Sequence, residues 1–218
     1  DLAEGDNDDN GDDGAIWTDS DNLQIIGSVN NKLELTSEIS GCSKRYNYGG
    51  AICARADNLL VSDVRIVDNN TDEEGGGIWV KGDNCKVEKC YFEANTTDNR
   101  GGGICIKGKN ANINNCEFRD NDSDKGGGGI CVVGDSATID HCFFKENTAD
   151  IMGGGICIEG KNAKVKNCEL TENSAYYTSI LKVVGLGVTS LTAVLPTAID
   201  YLFTGDTDPI EFVWGDGG

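Results

Sequence analysis

Apolar and polar positions alternate in short runs, and the same run returns every 26 residues between residues 49 and 178. Each unit opens with a glycine pair or triplet and an apolar triplet, as in GGGICI at 101–106. Apolar residues then recur at about every second place, which is the period of a β-strand and not of a helix. The five units begin at Gly49, Gly75, Gly101, Gly127 and Gly153.

A repeat of fixed length indicates a solenoid, in which each unit packs on its neighbours, and not a globular domain with one central core. We expect three short strands per unit, each in parallel with its copy in the next unit. The predicted fold class is therefore all-β, a right-handed parallel β-helix or β-solenoid. Its predicted parts are an acidic segment at 1–12, a degenerate first coil at 13–48, five regular coils at 49–178 and an apolar segment at 179–218.

The two end segments have different signatures. GAIW at 14–17 matches GAIC at 50–53, and DNLQI at 21–25 matches DNLLV at 57–61, so the first coil carries about ten extra residues. The C-terminal segment is apolar enough to raise a transmembrane helix as an alternative, but Lys182, Pro196 and Asp200 interrupt it. We expect strands that cover the last coil or dock on another subunit, because an uncovered coil is an open sheet edge.

In-register stacking at about 4.8 Å places equivalent side chains in columns. Isoleucines form one internal column, at Ile52, Ile78, Ile104, Ile130 and Ile156, and a second column holds Ile66, Phe92, Phe118, Phe144 and Leu170. A third is an asparagine ladder whose amides can hydrogen-bond along the axis. Its members are Asn69, Asn95, Asn121, Asn147 and Asn173.

The net charge of −19 disfavours nucleic acid and anionic membrane as partners, so we expect neither. Ten cysteines beside one Met and two Pro indicate an oxidising compartment. The chain starts at Asp1, which we interpret as a secreted chain whose signal peptide has been removed. The predicted location is extracellular or in the cell envelope.

The cysteines form two columns. Cys53, Cys105, Cys131 and Cys157 lie between inward apolar positions and are expected to face outward, with Trp79 interrupting them. Together with Cys42 and Cys85, which stand apart, they are candidates for disulfides across bends or between molecules, with pairings that the sequence leaves open. The inner column is expected to consist of small buried apolar residues, and contains Cys90, Cys116, Cys142 and Cys168.

Two groups of acidic residues are candidate sites. Asp6, Asp8, Asn10 and Asp12 resemble the first half of a calcium loop, although Trp17 stands where its last Glu is expected. The alternative is a solvated acidic tail, so no cofactor is required and Ca²⁺ is a candidate ligand. An acidic column before the asparagine ladder could act on a polysaccharide or form a solvated face; it contains Asp68, Asp120, Glu146 and Glu172. Coils of equal length without a walled cleft favour the latter, and we expect no enzyme.

The pairing of GGAI at 49–52 with Phe-x-x-Asn at 92–95, 118–121 and 144–147 resembles the repeat of chlamydial polymorphic membrane proteins. It is similar to the repeats of adhesin-like surface proteins of methanogenic archaea. The resemblance covers residues 49–178 and implies a secreted or surface-attached adhesin or envelope protein. Four units read GGGI in place of GGAI, and the forty residues that follow are too few for an autotransporter barrel, which argues against the chlamydial export route and leaves an archaeal-type or other envelope context.

The leading hypothesis is an extracellular structural protein that assembles with copies of itself, and with other envelope components, into a sheath, surface layer or filament crosslinked by disulfides. The alternative is a monomeric surface adhesin that binds host or glycan ligands. A polysaccharide lyase or hydrolase is a third hypothesis, which would require activity that depends on Asp120 or Glu146.

Overall fold

The computed structural model describes residues 15–30, 34–44, 48–176, 181–184 and 190–194. These residues form an all-β solenoid of parallel sheets without a helix. The predicted fold class is confirmed. Among the described residues no helix is long and apolar enough to cross a membrane.

The strands follow one another coil by coil. The first coil holds β1 (Ile16–Thr18), β2 (Gln24–Ile26), β3 (Ser37–Ser40) and β4 (Ser43–Lys44). The second holds β5 (Ile52–Ala54), β6 (Leu60–Ser62), β7 (Val64–Val67) and β8 (Asn70–Thr71), and the third β9 (Ile78–Val80), β10 (Lys86–Glu88), β11 (Tyr91–Glu93) and β12 (Thr96–Thr97). The fourth holds β13 (Ile104–Lys107), β14 (Asn112–Asn114), β15 (Glu117–Arg119) and β16 (Asp122–Ser123), and the fifth β17 (Ile130–Val133), β18 (Thr138–Asp140), β19 (Phe143–Lys145) and β20 (Thr148–Ala149). The sixth holds β21 (Ile156–Glu159), β22 (Lys164–Thr171) and β23 (Ser174–Ala175), and β24 (Leu181–Val184) and β25 (Ser190–Val194) follow.

The first five coils have four strands each, not the three expected, and the strands build three sheets. The first strand of each coil stacks in one sheet, and the two-residue fourth strands stack in another. The second and third strands form two stacks that β22 joins into a single sheet. The division between them is a bend at Lys89, Asn115 and His141, whose φ angles of 53°, 51° and 50° break the strand.

Two further bends in each regular coil also use left-handed backbone, which non-glycine residues adopt uncommonly. One is the turn that contains Asn84 in the third coil, with φ of 60°. The other directly precedes the asparagine ladder, where Asp68, Asp120, Glu146 and Glu172 have φ angles of 49° to 57°. The acidic column therefore occupies a bend in the backbone, which gives these residues a conformational role in the coil.

The core runs along the axis as the predicted columns. The isoleucine column is fully buried, and its members face one another in register across the first sheet. The rings of Phe92, Phe118 and Phe144 stack with centroids 4.7 and 4.9 Å apart and planes 5° from parallel. Each coil thus buries its apolar side chains mainly against its two neighbours, as a solenoid requires.

The glycine pairs are needed because backbones approach closely at the start of each coil. A Cβ on Gly102 would lie 2.4 Å from the carbonyl oxygen of Asp122 and 2.5 Å from that of Gly128. Its neighbour Gly101 has φ of 73°, which favours glycine. The conserved spacing of these glycines within the chain therefore reflects the packing of one coil on the next.

The first coil has the predicted offset and an insertion. The strands β1 and β2 pair with β5 and β6 at an offset of 36 residues, whereas β3 and β4 pair with β7 and β8 at 27. Nine of the ten extra residues therefore lie between β2 and β3. Part of this insertion forms a small antiparallel bridge between Val29 and Leu35.

The described parts of the C-terminal segment continue the solenoid. The strand β24 pairs in parallel with β21, and β25 pairs in parallel with β22 with one irregularity in register. That the segment covers the last regular coil or docks on another subunit stays a prediction. The rest of 179–218 and the acidic segment 1–12 lie outside the described residues.

Candidate functional site

The asparagine ladder is a continuous chain of buried hydrogen bonds. Each Nδ2 donates to the Oδ1 of the asparagine one coil later, at 2.8–2.9 Å. The same Oδ1 also accepts the backbone N–H of the earlier asparagine at 3.0–3.2 Å. The Nδ2 groups donate further to backbone carbonyls, such as that of Phe92 for Asn121. The ladder satisfies polar groups that burial would otherwise leave unpaired.

Cys42 occupies the position of the ladder in the first coil. Its backbone N–H donates to the Oδ1 of Asn69 at 3.1 Å, which repeats the bond made by each asparagine. Its side chain is 1% exposed. The shift of offset from 36 to 27 residues hides this equivalence in the sequence. Cys42 is therefore a structural residue and not an exposed crosslinking residue.

A second asparagine ladder lies on the surface, where sequence analysis missed it. The Nδ2 groups of Asn58, Asn84 and Asn110 each donate to the Oδ1 of the asparagine one coil earlier, at 3.0–3.1 Å. The sequence contains a signal for this ladder, because successive units have a polar turn with an asparagine at the same place. Because water can replace these bonds, this ladder stabilises the fold less than the buried one.

The expected exposure of the outer cysteine column is wrong. Cys53, Cys105, Cys131 and Cys157 do point away from the main core, but they are 0–2% exposed. They form a second apolar cluster with Trp79, against which Tyr48, Val133 and Met152 pack. Val133 follows Cys131 by two residues in β17, and Tyr48 and Met152 directly precede the first glycine of the second and sixth coils. This cover prevents access by a second molecule.

The sulfur atoms of this column contact one another. A hydrogen bond with Cys105 is the largest of the effects that raise the pKa of Cys131 well above its ordinary value, and burial adds to it. The positive charge of the Arg100 guanidinium partly opposes the rise in the pKa of Cys131 and Cys157. Arg100 also forms an ion pair with Glu159, with 3.1 Å between Nη1 and Oε2. Buried thiols with raised pKa values are poor nucleophiles, so they are unsuited to disulfide exchange.

Cys85 and the inner column belong to the main core. Cys85 takes the inward position of Leu59 and Ala111, and burial raises its pKa to about 12. The inner cysteines are 1–2% exposed, as expected. Their thiols donate to carbonyls at the bend two residues earlier, at 3.2–3.3 Å, in Cys90, Cys116, Cys142 and Cys168. All ten cysteines are buried, so the predicted crosslinks between molecules lack an exposed sulfur.

A polar cluster at Trp79 is the main site that sequence analysis did not assemble. The buried carboxylate of Glu74 accepts a hydrogen bond from the Nε1 of Trp79 at 3.2 Å. The same oxygen lies 2.5 Å from the Nζ of Lys107. Burial acts to lower the pKa of Lys107, but the hydrogen bond and the charge of Glu74 outweigh this effect, so the pKa is raised. The ring of Tyr48 stacks on Trp79 with centroids 4.4 Å apart.

Beside this cluster is a cavity of about 310 Å³, lined by Tyr48, Arg55, Trp79, Lys81 and Lys107. Arg55 directly follows β5, Lys81 directly follows β9, and Lys107 is the last residue of β13. These three cationic residues therefore stand at the same place in successive coils. The next two members of the column are Val133 and Glu159. Within this column, basic side chains thus occupy three successive coils of a strongly acidic chain.

The calcium candidates Asp6, Asp8, Asn10 and Asp12 lie outside the described residues. Within the described ranges, no three His, Cys, Asp or Glu side chains are grouped to hold a metal ion.

The parallel sheets and stacked columns define a β-solenoid repeat protein. The family described as "right handed beta helix region" matches residues 8–144 and 95–190, so the chain belongs to the right-handed β-helix family. Neither a curated protein nor a solved structure matches the chain in the other two comparisons. The family establishes the fold and is compatible with structural and surface roles.

Proposed function

We propose that this chain is an extracellular structural protein that joins copies of itself end to end in a cell-envelope filament, sheath or surface layer. The observation that carries the proposal is the N-terminal end of the solenoid. The strands β1, β2, β3 and β4 are the last described members of their stacks, so each has one edge without a described partner strand. Edges that no strand of the same chain covers readily pair with another chain.

Apolar side chains are exposed around this end. Trp17, Ile26 and Val29 of the first coil are 40%, 58% and 42% exposed, and they are three of the five large apolar residues exposed in the described chain. Ile16 and Leu23 are only partly buried against the main core. A second copy that stacked here would extend the sheets and cover this surface, which favours association.

Such a contact joins two different ends of the molecule. Head-to-tail interfaces that do not close into a ring generate open filaments. The resemblance of the repeat to surface proteins of chlamydiae and methanogenic archaea supports an envelope location. Because all ten cysteines are buried, assembly in this proposal is non-covalent and relies on strand pairing and apolar contact.

Sedimentation over a range of concentrations tests the proposal. The wild type should exceed the 23.1 kDa of one chain increasingly as concentration rises. Ile26→Lys places a charge at the N-terminal end of the described solenoid and should shift the protein to the monomer. Ile151→Lys is the matched control, because Ile151 is 39% exposed in an internal coil, and it should behave as the wild type.

A wild type that remains at 23.1 kDa at every concentration would contradict end-to-end assembly and favour the monomeric adhesin. Equal loss of assembly in both variants would place the contact elsewhere on the solenoid.

A further inference from the structure

The cationic column beside Trp79 has an unusual electrostatic setting. The chain carries 37 acidic and 18 basic residues, yet Arg55, Lys81 and Lys107 occupy one place in three successive coils. Lys107 is held by Glu74, and Lys81 is exposed and has no ion-pair partner among the described residues. This column is therefore a local site for negative charge on an acidic surface.

The cavity also has an aromatic wall held in a fixed orientation. Trp79 is 3% exposed, and its Nε1 is bound by Glu74, so it supports the partly exposed ring of Tyr48 from behind. The cavity volume of about 310 Å³ is sufficient for part of a small ligand. A rigid ring next to cations suits a ligand with a flat apolar face and a negative group.

The strands at this site exclude one mode of peptide binding. A peptide commonly binds a sheet by adding a strand to an open edge. Here β5, β9 and β13 are paired on both sides, so no strand edge is available. A sugar chain needs no such edge, because its ring can pack on Tyr48 while its acidic groups contact cations.

We propose that this cavity and cationic column bind an acidic glycan, a sugar chain that carries carboxylate or sulfate groups. Successive coils are about 4.8 Å apart, so the cations form a row parallel to the solenoid axis. A linear glycan with charges on successive sugars can contact several members of this row. The site lies on the side of the second to fourth coils and does not depend on end-to-end assembly.

Calorimetry at low ionic strength tests the proposal, since salt screens exposed charges. The probes are an oligouronate tetrasaccharide, a heparin tetrasaccharide, the carboxyl-reduced neutral tetrasaccharide and tetraglutamate. The wild type and the Ile26→Lys variant should bind at least one acidic sugar probe alike, and a preference between the two identifies carboxylate or sulfate as the recognised group. Neither the neutral sugar nor tetraglutamate should bind comparably.

Two substitutions at one exposed position locate the site. Lys81→Gln should weaken acidic-sugar binding about tenfold, as expected for the loss of one charge-assisted contact. Lys81→Glu should weaken it further by repulsion. The control Lys164→Gln removes an equal charge from an exposed position in another sheet and should leave binding within about twofold.

Three results would overturn the proposal. They are binding of neither acidic sugar probe, equal weakening by Lys81→Gln and Lys164→Gln, or tetraglutamate binding as tight as that of the sugars. The last result would identify an acidic polypeptide as the partner.

Discussion

Removing one amide from the buried asparagine ladder should destabilise the solenoid strongly. In Asn121→Ala, the backbone N–H of Asn95 loses its acceptor at 3.1 Å, and the Nδ2 of Asn95 loses one at 2.9 Å. On the other side, the carbonyl of Phe92 and the Oδ1 of Asn147 each lose a donor. The Oδ1 of Asn147 keeps the backbone N–H of residue 121, and the Nδ2 of Asn95 keeps its bond to the carbonyl of Ile66 at 2.8 Å, so the backbone N–H of Asn95 is affected most.

The magnitude follows from the two bonds that Asn95 loses. A buried backbone N–H left without a partner costs about 1–3 kcal/mol and the lost bond of the Nδ2 about 1 kcal/mol, so the free energy of unfolding should fall by about 2–4 kcal/mol. This is a large share of the roughly 5–15 kcal/mol that stabilises a typical domain. Water cannot readily replace the lost bonds, because Asn95, Asn121 and Asn147 are fully buried.

The exposed ladder provides the matched control. Asn110→Gly removes a ladder amide that bonds to Asn84 at 3.0 Å, and glycine can adopt the φ of 57° at this position. Because water replaces the lost bond, the cost should be about 1 kcal/mol or less.

Urea unfolding followed by circular dichroism gives both free-energy changes from the shift in midpoint. The reasoning is refuted if Asn121→Ala and Asn110→Gly destabilise the protein to the same extent. That result would mean that the buried ladder bonds are replaced by water or that the coils relax around the gap.

Three further substitutions test the packing and electrostatics. Gly102→Ala should lower the thermal unfolding midpoint by more than any exposed substitution, since its Cβ would lie 2.4 Å from a backbone oxygen; an unchanged midpoint would contradict the close approach of the coils. Phe118→Ala should cost about 3–5 kcal/mol in urea unfolding, against about 1 kcal/mol for Phe143→Ala on the partly exposed face, and equal costs would argue against the stacked core. Burial acts to raise the pKa of Asp140, but bonds from Lys166 and other neighbours outweigh it and lower it. Asp140 therefore adds stability above the ordinary carboxyl pKa of about 3.9, and this is lost as pH falls through its lower folded value. Asp140→Asn should be less stable than the wild type near neutral pH, and the difference should disappear as pH falls through the lowered pKa of Asp140; a difference independent of pH would contradict this linkage.

The repeat made the interior of this fold predictable. Residues 26 apart occupy equivalent places, so the columns of Ile104, Phe118 and Asn121 follow from the period once the strands are assumed to stack in register. The offset of the first coil was also visible, because two matches shared a shift of 36 residues. A column combines several copies of one position, so whether its side chains point into the core is easier to infer than for a single residue.

What covers the columns was not predictable in the same way. The alternation of apolar positions correctly predicts that Cys105 points away from the main core. This pattern carries no information about which side chains lie over the outer face. That cover includes Tyr48 and Met152, which directly precede the first glycine of the second and sixth coils and lie outside the strands of the repeat. The same holds for the cavity, since Glu74 reaches Lys107 across 33 residues of sequence, more than one full coil.

Single residues outside the columns were also misjudged. In the sequence, Cys42 and Cys85 belong to neither cysteine column. In the structure, each occupies an internal column that holds other residue types in the other coils. A cysteine can replace an asparagine backbone contact or a small apolar side chain at such a place. Only the register of the strands reveals this equivalence.

Electron microscopy of the wild-type protein at increasing concentration tests the central claim of end-to-end assembly most directly. The account predicts unbranched rods of constant width that grow in length by increments of one solenoid, without change on addition of a thiol reductant. Rods of one fixed length at every concentration would contradict it, as would side-by-side aggregates that dissociate only on reduction.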